Sequence, residues 1–177
     1  MNKDTEMICP LLDGYLRQIT ARLCRMSVEQ WDWRIATASA TVHELADHVS
    51  GWLIADRMHI LEPDARFHDD VPQLPNLPAE MAQLIESERL EWMKMLKMIR
   101  IEDMDAPRAQ FNHPQSENQD VRWMVMHGLQ TLVFDYGQMT VIFCALGMEG
   151  DRPYAPSKPH DFYTEMRRGW QKAAAER

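Results

Sequence analysis

The chain has 177 residues, of which 45% are hydrophobic and 26% charged, as is usual for a single globular domain. Its formal net charge of -8 argues against nucleic acid as a main partner, because phosphate binding requires clustered lysine and arginine. The three cysteines form no CxxC pair, and no basic stretch leads into an apolar one near the start, so we expect buried free thiols in a cytoplasmic protein without a secretory signal.

Helical periodicity begins close to the N-terminus. The first predicted helix covers about residues 5–26, where apolar side chains recur at helical spacing. Residues 27–30 have the S-x-x-Q form of a capping box, which predicts a short extra turn. A second long helix begins at the T-x-x-E capping box of residues 41–44 and ends where Glu62 meets Pro63. Four prolines between positions 63 and 78 then predict an irregular linker.

Two more long helices follow the linker. The third covers about residues 79–99, and the fourth begins near Asp120 and stops at Gly147, a residue that commonly follows a helix C-terminus. Between them, residues 100–119 form a polar stretch that is long for a structureless loop, so we expect it to fold over a functional face. After a proline-rich turn, a last helix is predicted from residue 161 to about 175.

Four long helices joined by long connections predict an all-α fold, a helical bundle with the additional C-terminal helix packed on its outside. We expect one domain over residues 1–177, with the bundle at about 5–147 and a C-terminal extension at 148–177. The longest apolar region, residues 123–148, is interrupted by polar side chains, which predicts a buried helix and no membrane span.

The fourth predicted helix carries an apolar stripe with one carboxylate in its middle. Its members recur at helical spacing, and they are Val121, Val125, Gly128, Leu132, Asp135, Met139, Ile142 and Leu146. An unpaired carboxylate there would cost several kcal/mol, so we expect Asp135 to be paired, protonated, bound to metal or beside a water-filled cleft. Gly128 and Gly137 each cost about 1 kcal/mol relative to alanine, and we expect another backbone or a ligand close to both.

The second helix places His48 on its apolar side, between Leu45 and Trp52. The structural interpretations are a core histidine with satisfied hydrogen bonds and, for Asp135, a buried salt bridge or a hydrogen bond to a neighbouring helix. A histidine and an aspartate on facing helices are also a start for a divalent metal site, because imidazole and carboxylate both suit Zn, Ni or Fe. His127 is about 12 Å of helix rise from Asp135, so we expect it to line the same cleft or to be an ordinary histidine.

The stretch TVHELADHVSGWLIAD resembles the second helix of the DinB-like family of four-helix bundles, in which a histidine in the same setting is a metal ligand. The stretch VRWMVMHGLQTLVFDYGQMTVIFCALGM is similar to the fourth helix of that family, typically H-x-x-x-H-x-x-x-H-R-G-Q followed by an apolar run ending in Leu-Gly. Gly137-Gln138 and Leu146-Gly147 keep that frame. The opening LLDGYLRQITARLCRMSVEQW also looks like the first helix of the family, so the resemblance covers most of the chain.

The resemblance implies an up-down-down-up bundle of four helices, frequently dimeric, and places His48 at the ligand position of the second helix. On the fourth helix the ligand positions fall on Thr131 and Asp135, and His127 stands at the non-ligand histidine one turn earlier. Thr131 and Asp135 thus replace two histidines of the usual three-histidine site, and threonine is a poor ligand for transition metals. Either the site has shifted to a weaker ligand set, or metal binding has been lost and the pocket retained.

Two functions follow from the resemblance and its departures. The first is a DinB-like protein whose polar cleft binds a divalent metal through His48 and Asp135, as in the metal-dependent transferases and hydrolases of the family. The second is a metal-free bundle that binds a small molecule or a protein partner and has lost catalysis, which Thr131 favours. The expected partners are a second copy of the chain, in a homodimer, and a small-molecule or thiol ligand. A purely structural His48–Asp135 pair is a third interpretation.

Overall fold

The computed structural model describes residues 3–62, 72–108 and 119–148. These residues form five α-helices, namely α1 (Lys3–Leu23), α2 (Val28–Trp31), α3 (Val42–Leu61), α4 (Pro78–Met98) and α5 (Val121–Ala145). A 3-10 turn covers Ile101–Asp103, and Pro107 forms an isolated β-bridge with Asp120. The described part of the chain is therefore all-α, as predicted. The predicted last helix and the C-terminal extension after residue 148 lie outside the described residues.

Local sequence signals determine where the helices begin and end. Both predicted capping boxes are present, at residues 27–30 and 41–44, so each N-cap hydroxyl accepts a hydrogen bond from the backbone three residues on. Asp120 caps α5 by accepting from the backbone N–H of Trp123 at 2.7 Å. Gly147 follows α5 with a φ of 71°, a conformation that favours glycine. The long helices differ from their predicted bounds by at most three residues.

Cross-helix contacts give the directions of the four long helices. The contacts are Cys9–Met93 and Asp13–Arg89 between α1 and α4, Ser50–Met81 and Arg57–Glu88 between α3 and α4, and Asp4–Arg122 and Gln18–Tyr136 between α1 and α5. Residue numbers rise together in the α3–α4 and α1–α5 contacts and in opposite senses in the α1–α4 contacts. Helices α1 and α5 therefore run one way, and α3 and α4 run the other.

The helices enclose a core in which Trp31, Trp92 and Phe143 are among the largest fully buried side chains. The three cysteines are free, but only Cys9 is buried, so the prediction of buried thiols was wrong for Cys24 and Cys144. Cys24 follows the last residue of α1 and is exposed, although Leu23 and Met26 on either side of it belong to the core. No helix in the described ranges is long and apolar enough to cross a membrane.

Candidate functional site

His48 of α3 and Asp135 of α5 meet across the seam between the two helices. Nδ1 of His48 lies 2.6 Å from Oδ2 of Asp135. The Asp135 side chain is 2% exposed and that of His48 is 52% exposed, so the carboxylate lies in the core while the imidazole reaches the surface. Nε2 of Gln138 donates to the other carboxylate oxygen, Oδ1, at 3.4 Å. Asp135 is therefore paired, one of the four states expected from its place in the apolar stripe.

Trp52 determines the tautomer of His48. Its indole Nε1–H lies 2.8 Å from Nε2 of His48. An indole nitrogen can only donate a hydrogen bond, so Nε2 of His48 accepts and carries no proton. The neutral imidazole therefore has its proton on Nδ1 and donates it to Oδ2 of Asp135. The three side chains form one directed chain of hydrogen bonds, from indole to imidazole to carboxylate.

A second aspartate–histidine pair joins the same two helices. Nδ1 of His127 on α5 lies 2.9 Å from Oδ2 of Asp56 on α3. His127, predicted to line the cleft or to be an ordinary histidine, thus has a buried partner. Asp56 was not among the predicted site residues. The signal that could have found it is an aspartate between the apolar residues of α3, the same signal that singled out Asp135 on α5.

The two pairs are reciprocal. Helix α3 supplies the histidine of one pair and the aspartate of the other, and α5 supplies their partners in reverse order. On each helix eight residues separate the two members, about 12 Å at 1.5 Å per residue, so antiparallel packing brings both pairs into register. Half-buried Thr131 stands level with Trp52, midway between the pairs. Thr131 takes part in none of the hydrogen bonds described for these two pairs.

Two tryptophans contact the histidines of these pairs, and one of them, Trp52, lies between the two rings. The ring of Trp52 meets that of His127 edge-on, with centroids 4.7 Å apart and an interplanar angle of 82°. Trp123 stacks on the same imidazole at 4.7 Å and 9°. Trp52 also lies edge-on to His48, with centroids 6.2 Å apart. Trp52 therefore contacts both histidines and links one pair to the other.

The carboxylate of Asp56 is fully buried, and within the described residues only one of its two oxygens is hydrogen-bonded. The residue is 0% exposed, and Oδ1 has no hydrogen-bond partner among the residues that the structure describes. Burial raises the pKa of Asp56, while the hydrogen bond and charge of His127 act in the opposite direction. The Asp56–His127 pair is consequently the more buried of the two, and the His48–Asp135 pair is the one that a ligand can reach.

The two glycines of α5 behave differently. A Cβ on Gly128 would lie 3.1 Å from Cη2 of Trp92 and 3.4 Å from Oδ2 of Asp56. The close neighbours of Gly128 are therefore side chains, whereas a backbone or a ligand was predicted. At Gly137 no described atom would lie within 4 Å of a Cβ, so no backbone of the described chain makes the close approach predicted there. The difference arises because Gly128 faces the core and Gly137 lies on the exposed side of the helix.

The donor atoms present do not fit a divalent ion held by His48 and Asp135. Both ring nitrogens of His48 already take part in hydrogen bonds, and so does Oδ2 of Asp135. Thr131 offers only a hydroxyl, and His127 is paired with Asp56. Within the described ranges, no three His, Cys, Asp or Glu side chains are grouped so that they could hold a metal ion. Metal binding by this chain stays a prediction.

The arrangement of His48 has a definite chemical capacity. A carboxylate that accepts Nδ1–H holds the imidazole in one tautomer, which leaves the lone pair of Nε2 as an acceptor or a base. That lone pair is at present occupied by the indole of Trp52. A group with its own O–H, N–H or S–H can take the place of the indole and donate to the same atom.

Comparisons of the chain with protein-family models, with curated proteins and with solved structures found no match. The geometry of α3 and α5 is therefore the basis for assigning a function, and the likeness to the DinB-like family stays a resemblance.

Proposed function

We propose that this chain is a metal-free, DinB-like helical bundle that binds a small molecule at His48. The observation that carries the proposal is the orientation of the imidazole. Its Nδ1–H is directed to the buried carboxylate of Asp135, and its Nε2 lone pair is directed to Trp52 on the open side. The bound molecule would donate an O–H, N–H or S–H to Nε2 in place of the indole.

The surroundings of His48 favour a ligand with an aromatic or apolar body. Trp52 lies edge-on to both histidines, and Trp123, one turn before His127 on α5, stacks on the His127 ring and is 39% exposed. Small-molecule sites are commonly lined by aromatic side chains, with a few polar groups that orient the ligand. Asp135 and His48 supply such a polar group here, and the exposed half of the His48 side chain supplies access.

The DinB-like part of the proposal rests on the helices. The directions of α1, α3, α4 and α5 along the chain are up, down, down and up, as the resemblance implies. His48 and Asp135 lie on adjoining helices at the positions that the resemblance assigns to ligands. Thr131, level with Trp52 and outside the hydrogen bonds of the site, supports the loss of the third ligand.

Divalent metal binding is the second candidate. A carboxylate that accepts Nδ1–H is the usual outer partner of a metal-bound histidine. Nε2 of His48 would then bind the ion after Trp52 moves away, and Asp135 would orient the histidine. This arrangement differs from the expectation that Asp135 itself is a ligand. A transferase or hydrolase activity of the family's kind belongs to this candidate, since its chemistry depends on the metal.

Matched aromatic probes test the proposal. Phenol carries the donor group and anisole lacks it, while the two have similar ring systems. We expect phenol, added to 15N-labelled protein, to shift the NMR signals of the Trp52 indole N–H and the His48 ring nitrogens. Anisole should leave these signals in place, because it cannot donate to Nε2. Phenol should also fail to shift the indole signal in the His48→Ala variant.

His43 gives a matched control on the same helix. It also pairs through Nδ1 with an aspartate, Asp32, at 2.9 Å, so His43→Ala removes a comparable pair and should keep the phenol response. Equal responses to phenol and anisole, or a phenol response that persists in His48→Ala, would contradict small-molecule binding at this atom. Addition of zinc chloride distinguishes metal binding from small-molecule binding. A zinc-induced shift of the same NMR signals that is lost in His48→Ala would support metal binding.

The homodimer stays a prediction, and α5 is where we expect the contact. The outer face of this helix begins with one charged residue, Arg122, and beyond it exposes large apolar side chains, namely Trp123, Met126, Val133, Phe134 and Val141. Exposed apolar surface of this kind favours association. Sedimentation velocity of the wild type and of Phe134→Glu tests the prediction, since the variant should sediment as a smaller species.

A further inference from the structure

Arg22 is a buried cation on the seam between α1 and α5, away from the α3–α5 seam that holds His48. The residue is 6% exposed. Its Nη1 donates to the hydroxyl of Tyr136 at 3.1 Å, and to the backbone oxygen and Oε1 of Gln18 at 3.4 Å each. None of these acceptors carries a charge. Among the described residues, Arg22 has no carboxylate partner.

One edge of the Arg22 guanidinium has no acceptor. All three hydrogen bonds come from Nη1, and the buried Nε has no partner among the residues that the structure describes. The Nε–Nη2 edge is the one that arginine uses to hold a carboxylate with two parallel hydrogen bonds. Arg22 therefore has an unpaired edge of the kind that binds an oxyanion, and because Nε is closed to solvent, a carboxylate reaches this edge only when a neighbouring side chain moves aside.

Other arginines of this chain show the same edge in use. Nε and Nη2 of Arg57 donate to the two oxygens of Glu88 at 2.8 and 2.9 Å. Nε and Nη2 of Arg100 donate to the two oxygens of Asp103, at 2.9 Å each. Arg22 is more deeply buried than Arg57 or Arg100, yet it lacks the carboxylate that both of them have.

Aromatic rings compensate only part of the charge of Arg22. Its guanidinium carbon lies 5.1 Å from the ring centroid of Phe143 and 5.6 Å from that of Tyr136. Such contacts attract a cation, but they do not neutralise it or occupy its N–H groups. A buried charge is normally paired, because removal from water is unfavourable without a counter-charge. The described neighbours of Arg22 supply no counter-charge.

We propose that the Nε–Nη2 edge of Arg22 binds the carboxylate group of a small organic monoanion. The planar carboxylate matches the two parallel N–H groups in shape, as Glu88 does for Arg57. A single negative charge balances the single cation, whereas a phosphate dianion would leave an excess charge beside the rings of Tyr136 and Phe143. The hydroxyl of Tyr136 donates to Gln18, which holds the neutral side of the site in place.

The test uses the full chain with sodium acetate as the probe. Arginine Nε–H signals in 15N-resolved NMR spectra are followed during titration with acetate, and with chloride at the same ionic strength. We expect the Arg22 signal to shift in a saturable way with acetate and not with chloride. The Arg57 signal is an internal control and should not move, because its edge is already closed by Glu88. Phosphate should produce a weaker shift at Arg22 than acetate.

A conservative variant separates charge from geometry. Arg22→Lys keeps the cation and removes the two-pronged edge, so the rise in the thermal unfolding midpoint that acetate produces in the wild type should be lost. Arg57→Lys is the matched control and should keep that rise. The proposal is overturned by an acetate-insensitive Arg22 signal, by equal shifts with acetate and chloride, or by an undiminished rise in Arg22→Lys. The signal measured in the wild type decides the matter even where a variant folds poorly.

Discussion

The indole nitrogen of Trp52 donates to Nε2 of His48 at 2.8 Å, and this bond decides which nitrogen of the imidazole carries the proton. Since Nδ1–H is then directed to Asp135, a half-buried tryptophan controls how a buried carboxylate is satisfied. The same tryptophan lies edge-on to His127, so a ligand that displaces the indole at one pair disturbs the environment of the other.

Trp52→Phe removes the indole donor and keeps an aromatic ring. We expect His48 to react about fivefold faster with diethyl pyrocarbonate, the factor that corresponds to about 1 kcal/mol for one neutral hydrogen bond, because the Nε2 lone pair becomes free. Peptide mapping by mass spectrometry gives the rate at each histidine. Trp123→Phe is the control, since Trp123 stacks on His127. A rate at His48 that does not change in Trp52→Phe would refute the assigned tautomer.

Substitution of His48 should lower the free energy of unfolding by more than substitution of Asp135. His48→Ala leaves a carboxylate that is 2% exposed without its main partner, and we expect a loss of about 3 kcal/mol in the free energy of unfolding. Asp135→Asn leaves an amide oxygen that can still accept Nδ1–H, and a histidine that can reach water, so about 1 kcal/mol is expected.

Urea denaturation measures both costs. Asp32→Asn is the matched control, because Asp32 pairs with His43 but its side chain is 61% exposed, and an exposed pair contributes below about 1 kcal/mol. Silent His48→Ala and Asp135→Asn variants would show that the pair contributes nothing to stability and would leave ligand binding as its purpose.

The glycines of α5 form a second matched pair. Gly137→Ala should stabilise the protein by about 0.5–1 kcal/mol, because alanine is the better helix former and the added Cβ meets no described atom within 4 Å. Gly128→Ala should destabilise it by about 1 kcal/mol or more, because the Cβ would lie 3.1 Å from fully buried Trp92. Trp92 cannot easily shift, since its indole donates to the backbone of Leu53 at 2.9 Å. Thermal unfolding of the two variants is the measurement, and equal effects would count against this packing.

The contact of Asp13 with Arg89 predicts a pH dependence. Burial acts to raise the pKa of Asp13, but the hydrogen bonds and charges of Arg17 and Arg89 outweigh it and leave the pKa below its usual value. A lowered pKa in the folded state means that ionised Asp13 stabilises the fold above the unfolded-state pKa of about 3.9. This stabilisation is lost as the pH falls through the lower, folded-state pKa.

Wild type and Asp13→Asn should therefore differ most in unfolding free energy at neutral pH, by about 1 kcal/mol. The difference should shrink below about pH 4, where the carboxylate begins to take up its proton in the unfolded state. Urea denaturation of both proteins at a series of pH values measures it. A difference that increases on acidification would contradict the assigned direction of the shift.

The helices of this protein could be predicted closely because their signals are local. The capping boxes at residues 27–30 and 41–44, the prolines after α3 and Gly147 after α5 act within a few residues along the chain. Asp135 could be singled out for a similar reason, since the spacing of its apolar neighbours showed that it faces the interior. His48 was found in the same way on α3, although its side chain reaches the surface.

The partners of these residues could be predicted only in part. That His48 faces Asp135 was expected, because both stand on apolar sides of long helices. The Asp56–His127 pair and the hydrogen bond from Trp52 to His48 were not expected. Both depend on how far α3 is displaced along α5. Such a displacement results from packing across the whole seam, and no segment of the sequence encodes it alone.

The sequence by itself determined where the long helices of the described chain lie and which polar residues interrupt their apolar faces, because helix formation and amphipathic spacing act between near neighbours. Only the tertiary structure decided that two aspartate–histidine pairs stand in reciprocal register with Trp52 between them. The physical reason is separation along the chain. A hydrogen bond between α3 and α5 forms only when the packed core has brought residues that are far apart in the chain to within about 3 Å.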